Sequence, residues 1–198
     1  MIKQKKIGLY FGSFNPIHIG HLIIANHLVE NTSLDEVWFV VTPHNPHKEK
    51  KTLLADMHRL HLVHLAVEDY PKLKASNIEF ALPQPSYTVN TLAHISEKYP
   101  NDSFALIMGE DNLKSFPKWK NYETILAFYD IYVYPRISDL AIPDSLKNHR
   151  KIHFVQAPII ELSATAIRKG IQTGKNIKPL LSDAVWKYID EMNFYKKI

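Results

Sequence analysis

The chain has 198 residues, enough for one domain with a sizeable core, and its 45% hydrophobic content is ordinary for a globular protein. A balance of 24 basic to 20 acidic residues leaves a formal charge of +4, which suits an anionic small-molecule partner and is too weak and scattered for nucleic acid. The absence of cysteine excludes a disulfide framework and thiolate chemistry, and fits a reducing compartment.

Met1 to Lys6 followed by apolar residues has the outline of a secretory signal. The apolar stretch Ile7-Gly8-Leu9-Tyr10-Phe11 is short, however, and runs directly into Gly12-Ser13 with no small-residue cleavage site after it. It reads instead as a first buried strand. No run approaches the ~18–20 apolar residues that span a bilayer, so a cytoplasmic protein without a membrane partner is expected.

A helix is predicted over Leu22–Val29. Glu36–Thr42 is β-branched and aromatic, as in a buried parallel strand. Pro43 to Lys48 is a loop, because two prolines exclude regular structure. A helix over Leu53–Asp69, a weak strand over Ala75–Glu79 and a helix from about Thr88 to Lys98 follow. Phe104–Gly109 is a buried strand, Tyr122–Phe128 a helix, Asp130–Tyr134 a strand, and Ile152–Val155 another. The remainder is helical, over Ser163–Thr173 and Ser182–Asn193. Ser182 is read as a simple N-cap, since no Glu or Gln stands three residues on. The alternation predicts an α/β, Rossmann-like, doubly wound parallel sheet with helices on both faces and a helical C-terminal part. Ligands in such sheets sit beyond the carboxyl ends of the strands, near the topological switch.

The turn after the first strand falls at that place. Gly12-Ser13-Phe14-Asn15-Pro16-Ile17-His18-Ile19-Gly20-His21 joins a strand to a helix start, where orphan N–H groups and the positive end of the helix dipole favour an anion. His18 and His21 aim two imidazoles at the same region, and Gly20 between them allows close backbone approach. Two other readings exist: zinc, with His44 and His47 as a second pair, or histidines with no role. Structural zinc usually recruits cysteine, which is absent, so no metal is assigned to these residues. Ser163-Ala164-Thr165-Ala166-Ile167-Arg168 combines an N-cap with a guanidinium fork suited to phosphates; alone, it is equally a plain cap and a solvated charge. Lys48 ends the proline-rich loop and is the basic residue singled out there, ahead of Lys50 and Lys51. His58, His61 and His64 drift around one predicted helix and read as surface or packing residues.

His18-Ile19-Gly20-His21 resembles the H-x-G-H signature of the nucleotidyltransferase superfamily, and Ser163 to Arg168 resembles its C-terminal S-x-T-x-I-R motif. Pro46-His47-Lys48 resembles the family's phosphate-binding loop. Ser86-Tyr87-Thr88-Val89-Asn90-Thr91-Leu92 looks like the S-Y-T-x-x-T-L motif of bacterial nicotinate-nucleotide adenylyltransferases, and Gly109-Glu110-Asp111-Asn112 followed by Trp119 looks like that family's G-x-D and aromatic element. The resemblance spans residues 7 to about 194, so residues 1–198 are expected to form a single nucleotidyltransferase domain.

The resemblance implies adenylyl transfer from ATP to nicotinate mononucleotide, giving deamido-NAD and pyrophosphate. It implies catalytic roles for His18, His21, Lys48 and Arg168. ATP would be held by Gly12, Ser13, Phe14, His18, Gly20, His21, Gly109, Asp111, Ser163, Thr165 and Arg168. Nicotinate mononucleotide would be held by Asn15, Lys48, Tyr87, Thr88, Thr91 and Trp119, with backbone groups around Tyr87-Thr88 and beside Trp119 on the carboxylate and the Trp119 ring on the pyridine. Asp111 would hold ribose hydroxyls. Mg²⁺ is expected with ATP, bound through phosphates and water, because no carboxylate cluster offers a cage. A homo-oligomer is compatible with all of this.

Two departures stand out. Asn15 occupies a position where the family's commonest residue is Asp, which removes a charge, and Phe11 stands where Gly is frequent. The rival activities are pantetheine-phosphate adenylyl transfer, which shares both basic motifs but lacks the Tyr-Thr and Trp elements, and adenylyl transfer to nicotinamide mononucleotide. A non-catalytic nucleotide-binding regulator is the alternative from another class. It would need affinity without groups that act in the transition state.

Overall fold

A computed structural model describes residues 4–43, 53–137 and 141–196. Its centre is a six-stranded sheet in the order β3-β2-β1-β4-β5-β6. The strands are β1 (Lys6–Gly12), β2 (Glu36–Val41), β3 (Leu73–Ser76), β4 (Ser103–Gly109), β5 (Asp130–Tyr134) and β6 (Ile152–Phe154), and every pairing is parallel. The order reverses between β1 and β4, where Ile7 pairs with Glu36 on one side and with Phe104 on the other. This is the predicted doubly wound arrangement.

The near-continuous apolar strands follow from burial on both faces. Ile7 and Leu9 of β1, Phe104, Leu106 and Met108 of β4, and Ile131 and Val133 of β5 face one layer. Tyr10, Ala105, Ile107, Tyr132 and Tyr134, alternating with them, face the other. The first layer is completed by α3 (Thr88–Lys98), the short α4 (Glu110–Ser115) and α5 (Tyr122–Phe128), through Leu92, Ile95, Leu113 and Ile125. The second is completed by α1 (Ile19–Asn31), α2 (Asp56–Val67) and, after the four-residue α6 (Asp144–Lys147), by α7 (Ala164–Gln172) and α8 (Asp183–Glu191). Ile167, Ile171, Val185 and Ile189 recur at helical spacing and bury against this layer. Burial of each such side chain contributes roughly 1.5–3 kcal/mol.

The caps expected of the last two helices are present. Ser163 Oγ accepts from the Ala166 N–H at 3.2 Å, and Ser182 Oγ accepts from the Val185 N–H at 3.4 Å. His58 bonds the Tyr188 hydroxyl at 2.9 Å, His61 meets the Tyr188 ring edge-on and His64 is exposed, so all three are packing or surface residues as expected.

Several elements differ from expectation. The first helix begins at Ile19 rather than Leu22, because Gly20 is tolerated in a first turn that His18 initiates. The third strand is Leu73–Ser76, not Ala75–Glu79; Asn77 ends it and Ile78–Ala81 forms a 3₁₀ turn that drops Ile78 into the core. The second helix spans only Asp56–Val67, and α6 is too short to leave a periodic signal. Among the described residues no helix is long and apolar enough to cross a membrane.

Candidate active site

A cavity of about 1030 Å³ opens beyond the carboxyl ends of β1, β4 and β5. Its wall includes Gly12, Ser13, Phe14 and Asn15 of the turn after β1, His18, Gly20 and His21 of the α1 start, and Ser163, Thr165 and Arg168 of α7. It also includes Tyr87 and Thr88 of the α3 start, Asp111 and Trp119. Residues distributed over most of the chain thus converge at the switch point between β1 and β4.

The turn is built tightly. Phe14 adopts a left-handed backbone with φ of 43°, and its ring folds back over Gly12, where an added Cβ would stand 2.7 Å from the ring. A side chain at Gly12 is therefore excluded by Phe14 rather than by a ligand. Phe14 is itself buried, edge-on to His21 with ring centroids 5.2 Å apart. Asn15 is also buried; its Oδ1 accepts from the Leu54 N–H at 3.2 Å and from the Tyr195 hydroxyl at 2.7 Å, while its carbonyl accepts from Arg168 Nη1 at 2.8 Å. The amide at this position acts as a neutral strut, which explains how the chain does without the carboxylate usual in the family.

His18 is the N-cap residue of α1, and its N–H donates to His21 Nδ1 at 3.3 Å. The two imidazoles stack with centroids 3.7 Å apart. A Cβ on Gly20 would lie 2.9 Å from Ile160 and 3.1 Å from His18 Nδ1, so glycine is what lets the His18 ring lie over the helix start. Burial, and secondarily the Arg136 guanidinium, lower the His18 pKa to about 4. His18 is thus a neutral donor at physiological pH, not a cation.

At α7, Ser163 caps the helix while Arg168, one turn in, spans the Asn15 carbonyl and Thr165 Oγ1 at 3.3 Å. The wall around the α3 start is framed by aromatic groups. Tyr87 is the N-cap of α3 with Lys120 Nζ 4.3 Å from its ring centroid, and Trp119 leans edge-on against Phe116.

Two expected site residues lie behind the wall. Thr91 is completely buried and donates to Glu79 Oε1 at 2.7 Å, so its hydroxyl braces the α3 start instead of facing the cavity. Gly109 ends β4, and a side chain there would collide with Asp111 and Arg136; its part is to make room for the wall. Lys48, with His44 and His47, lies outside the described residues. Among those described, no group of three His, Cys, Asp or Glu side chains could hold a metal ion.

Three residues escaped sequence reasoning. Arg136, two residues past the end of β5, lines the cavity and donates to the Ile160 carbonyl at 2.9 Å. Its position after a buried parallel strand was the available signal. Arg59, fully buried, donates to the carbonyls of Ser13 at 2.6 Å, Thr42 at 2.9 Å and Leu54 at 3.0 Å, and pairs with Asp56 at 2.6 Å, so one guanidinium ties the turn to β2 and α2. Glu79 is a buried carboxylate on the cavity wall. Neither of these last two stands in a recognisable local pattern.

A strand-turn-helix with paired histidines, facing a capped helix that carries an arginine, defines a nucleotidyltransferase site. The family model described as Cytidylyltransferase-like matches residues 9–170. A protein of Flavobacterium psychrophilum named "Probable nicotinate-nucleotide adenylyltransferase" is 67% identical over 97% of this chain and 100% of its own. One of Bacteroides fragilis with the same name is 47% identical over 94% of this chain and 92% of its own. The chain belongs to the cytidylyltransferase-like family and, within it, to the nicotinate-nucleotide adenylyltransferases. The fold is also that of the Plasmodium falciparum nicotinic acid mononucleotide adenylyltransferase solved with NaAD, with a TM-score of 0.80, 21% identity and coverage of 97% and 98% of the two chains.

Proposed function

We propose that this protein transfers the adenylyl group of ATP to nicotinate mononucleotide, forming deamido-NAD and pyrophosphate in NAD biosynthesis. The observation that carries the reading is a single cavity whose wall holds the histidine pair and the α7 start together with Tyr87, Thr88 and Trp119. A triphosphate and a pyridine mononucleotide can therefore meet inside it.

A phosphate oxygen of the mononucleotide attacks the α-phosphorus in line; the bond to the bridging oxygen breaks and pyrophosphate leaves. No covalent intermediate with the protein is needed, so the protein's part is to position and neutralise. His18 and His21 donate hydrogen bonds to phosphate oxygens as charge shifts toward the leaving group. Arg168, with the free N–H groups at the α7 start, holds the triphosphate tail, and Lys48 is assigned to the same task. Arg136 adds a further positive charge beside His18. Gly12, Ser13, Phe14 and Gly20 shape the turn beneath the phosphates, while Asp111 is placed to accept from ribose hydroxyls.

The N–H groups of Thr88 and Val89 at the α3 start lie ahead of the first carbonyl bond, which Asn90 makes to Tyr87, and can meet the nicotinate carboxylate, while the Trp119 face takes the ring. Mg²⁺ brought in with ATP would screen phosphate charge, held mainly by the phosphates and water. The reading carries a cytoplasmic location with it, where ATP is available. Incubation of the purified protein with ATP, Mg²⁺ and nicotinate mononucleotide should yield the dinucleotide by mass spectrometry; its absence under conditions that bind both substrates would remove the assignment.

A further inference from the structure

Among the described residues two carboxylates are buried, and they are treated differently. Glu36, at the start of β2, is paired with Lys5 at 2.6 Å and Lys74 at 2.9 Å, and these partners hold its carboxyl below the usual range. Glu79, on the 3₁₀ turn Ile78–Ala81, is 2% exposed and lines the cavity. Its oxygens accept from Thr91 Oγ1 at 2.7 Å and Ser86 Oγ at 3.2 Å, and the Thr42 hydroxyl adds a third bond. All three partners are neutral, and among the described residues no lysine, arginine or histidine pairs with it. Burial pushes its carboxyl up, against the pull of the three hydroxyls.

A buried carboxylate without a cation is costly. The cost falls when a positive group enters the same cavity and displaces water. The other charged groups along this wall are largely cationic (Arg136, Arg168, Lys118 and Lys120) and suit anionic parts of a ligand. Glu79, beside Ser86, Tyr87 and Thr88 in the same wall, is with Asp111 one of its two carboxylates among the described residues, and Lys120 stands over the Tyr87 ring at 4.3 Å. A mononucleotide of nicotinate has one cationic part, the N-ribosylated pyridinium ring.

We propose that Glu79, fixed by the hydroxyls of Ser86 and Thr91 behind the α3 start, recognises the positive charge of the pyridinium ring. This rests on the functional reading above and deepens it: the carboxylate substituent is met by helix-start donors, and the ring charge by Glu79. The nicotinate and nicotinamide forms share the ring charge, so Glu79 does not distinguish them. It separates cationic rings from neutral ones.

The test compares nicotinate mononucleotide with its 1,4-dihydro form, which keeps every substituent but carries no ring charge, by isothermal titration without turnover. The wild-type protein should bind the cationic form about tenfold or more tightly. Glu79→Gln, which keeps size and hydrogen bonding, should lose most of that preference by weakening the cationic form alone, with ATP affinity unchanged. Glu79→Asp, which keeps the charge but draws it back, should fall between them, and it carries the test should the Gln variant fail to fold. No preference in the wild type, a preference unchanged in the variants, or equal weakening of both forms would each overturn the proposal; the last would make Glu79 a brace only. Turnover measured alongside separates the two readings. A protein that binds both forms with the expected preference but makes no dinucleotide upholds the ring contact and rejects the transferase reading.

Discussion

Arg168 Nη1 donates to the carbonyl of Asn15 at 2.8 Å, a contact between the C-terminal and N-terminal motifs across 153 positions of sequence. The guanidinium that is assigned to the triphosphate is therefore oriented by the turn on which the phosphates would rest. Arg168→Ala should weaken ATP binding, and Arg168→Lys should do so less, since charge survives while the fork is lost. Titration with ATP checks this; unchanged affinity and turnover in the Ala variant would reduce Arg168 to a helix-surface charge.

His18 is assigned to the phosphates whose charge develops in the reaction. Loss of one preorganised donor of this kind costs roughly 10²–10³ in rate, so His18→Ala should lower kcat by that order while affecting ATP affinity far less. Steady-state kinetics on a folded variant decides it, and near-normal turnover would remove the mechanism.

The same residue gives a pH signature. His18 titrates at about 4 in the folded protein, below the ordinary value of 6.5, because burial and Arg136 disfavour its charged form. Between these values the unfolded chain binds a proton that the folded one does not. Stability due to His18 is therefore fully present above pH 6.5 and is lost as pH falls toward 4, by about 3 kcal/mol at most. Urea denaturation across this window should show a flatter profile for His18→Gln than for the wild type.

Arg59 is the main brace of the phosphate turn. Arg59→Met would leave the carbonyls of Ser13, Thr42 and Leu54 without their donor, at about 1–3 kcal/mol for each buried group left unpaired. A loss of at least about 3 kcal/mol in chemical denaturation is expected. A change below about 1 kcal/mol would mean that water replaces the guanidinium.

Trp119→Ala should weaken nicotinate mononucleotide while leaving ATP binding largely intact, because the Trp119 face is assigned to the pyridine ring. A loss confined to ATP would overturn that assignment.

The parts of the site legible in sequence were those encoded locally. A strand, a glycine-containing turn and two histidines at helical spacing announce a phosphate site without reference to the rest of the chain, and Ser163 announces its own helix. Residues whose role depends on distant partners were not legible. Arg59 acts through carbonyls brought together by three elements, Arg136 through a loop after β6, and Glu79 through hydroxyls of β2's end and α3. Thr91 was read as a ligand contact because it belongs to the Ser-Tyr-Thr motif, but one further turn of α3 carries it behind the wall. The third strand was misplaced because the apolar Ile78, which looks like part of a strand, is buried from a 3₁₀ turn instead.

The central claim is tested most directly by kcat/KM for pyrophosphate release from ATP, with nicotinate mononucleotide, nicotinamide mononucleotide and phosphopantetheine as acceptors side by side. Helix-start donors at Thr88 favour a carboxylate, whereas a carboxamide brings its own N–H₂ against them and leaves polar groups unpaired. The account predicts a clear preference for nicotinate mononucleotide over the nicotinamide form and no use of phosphopantetheine. Equal use of the two mononucleotides would contradict the carboxylate pocket, and turnover with phosphopantetheine alone would contradict the assignment as a whole.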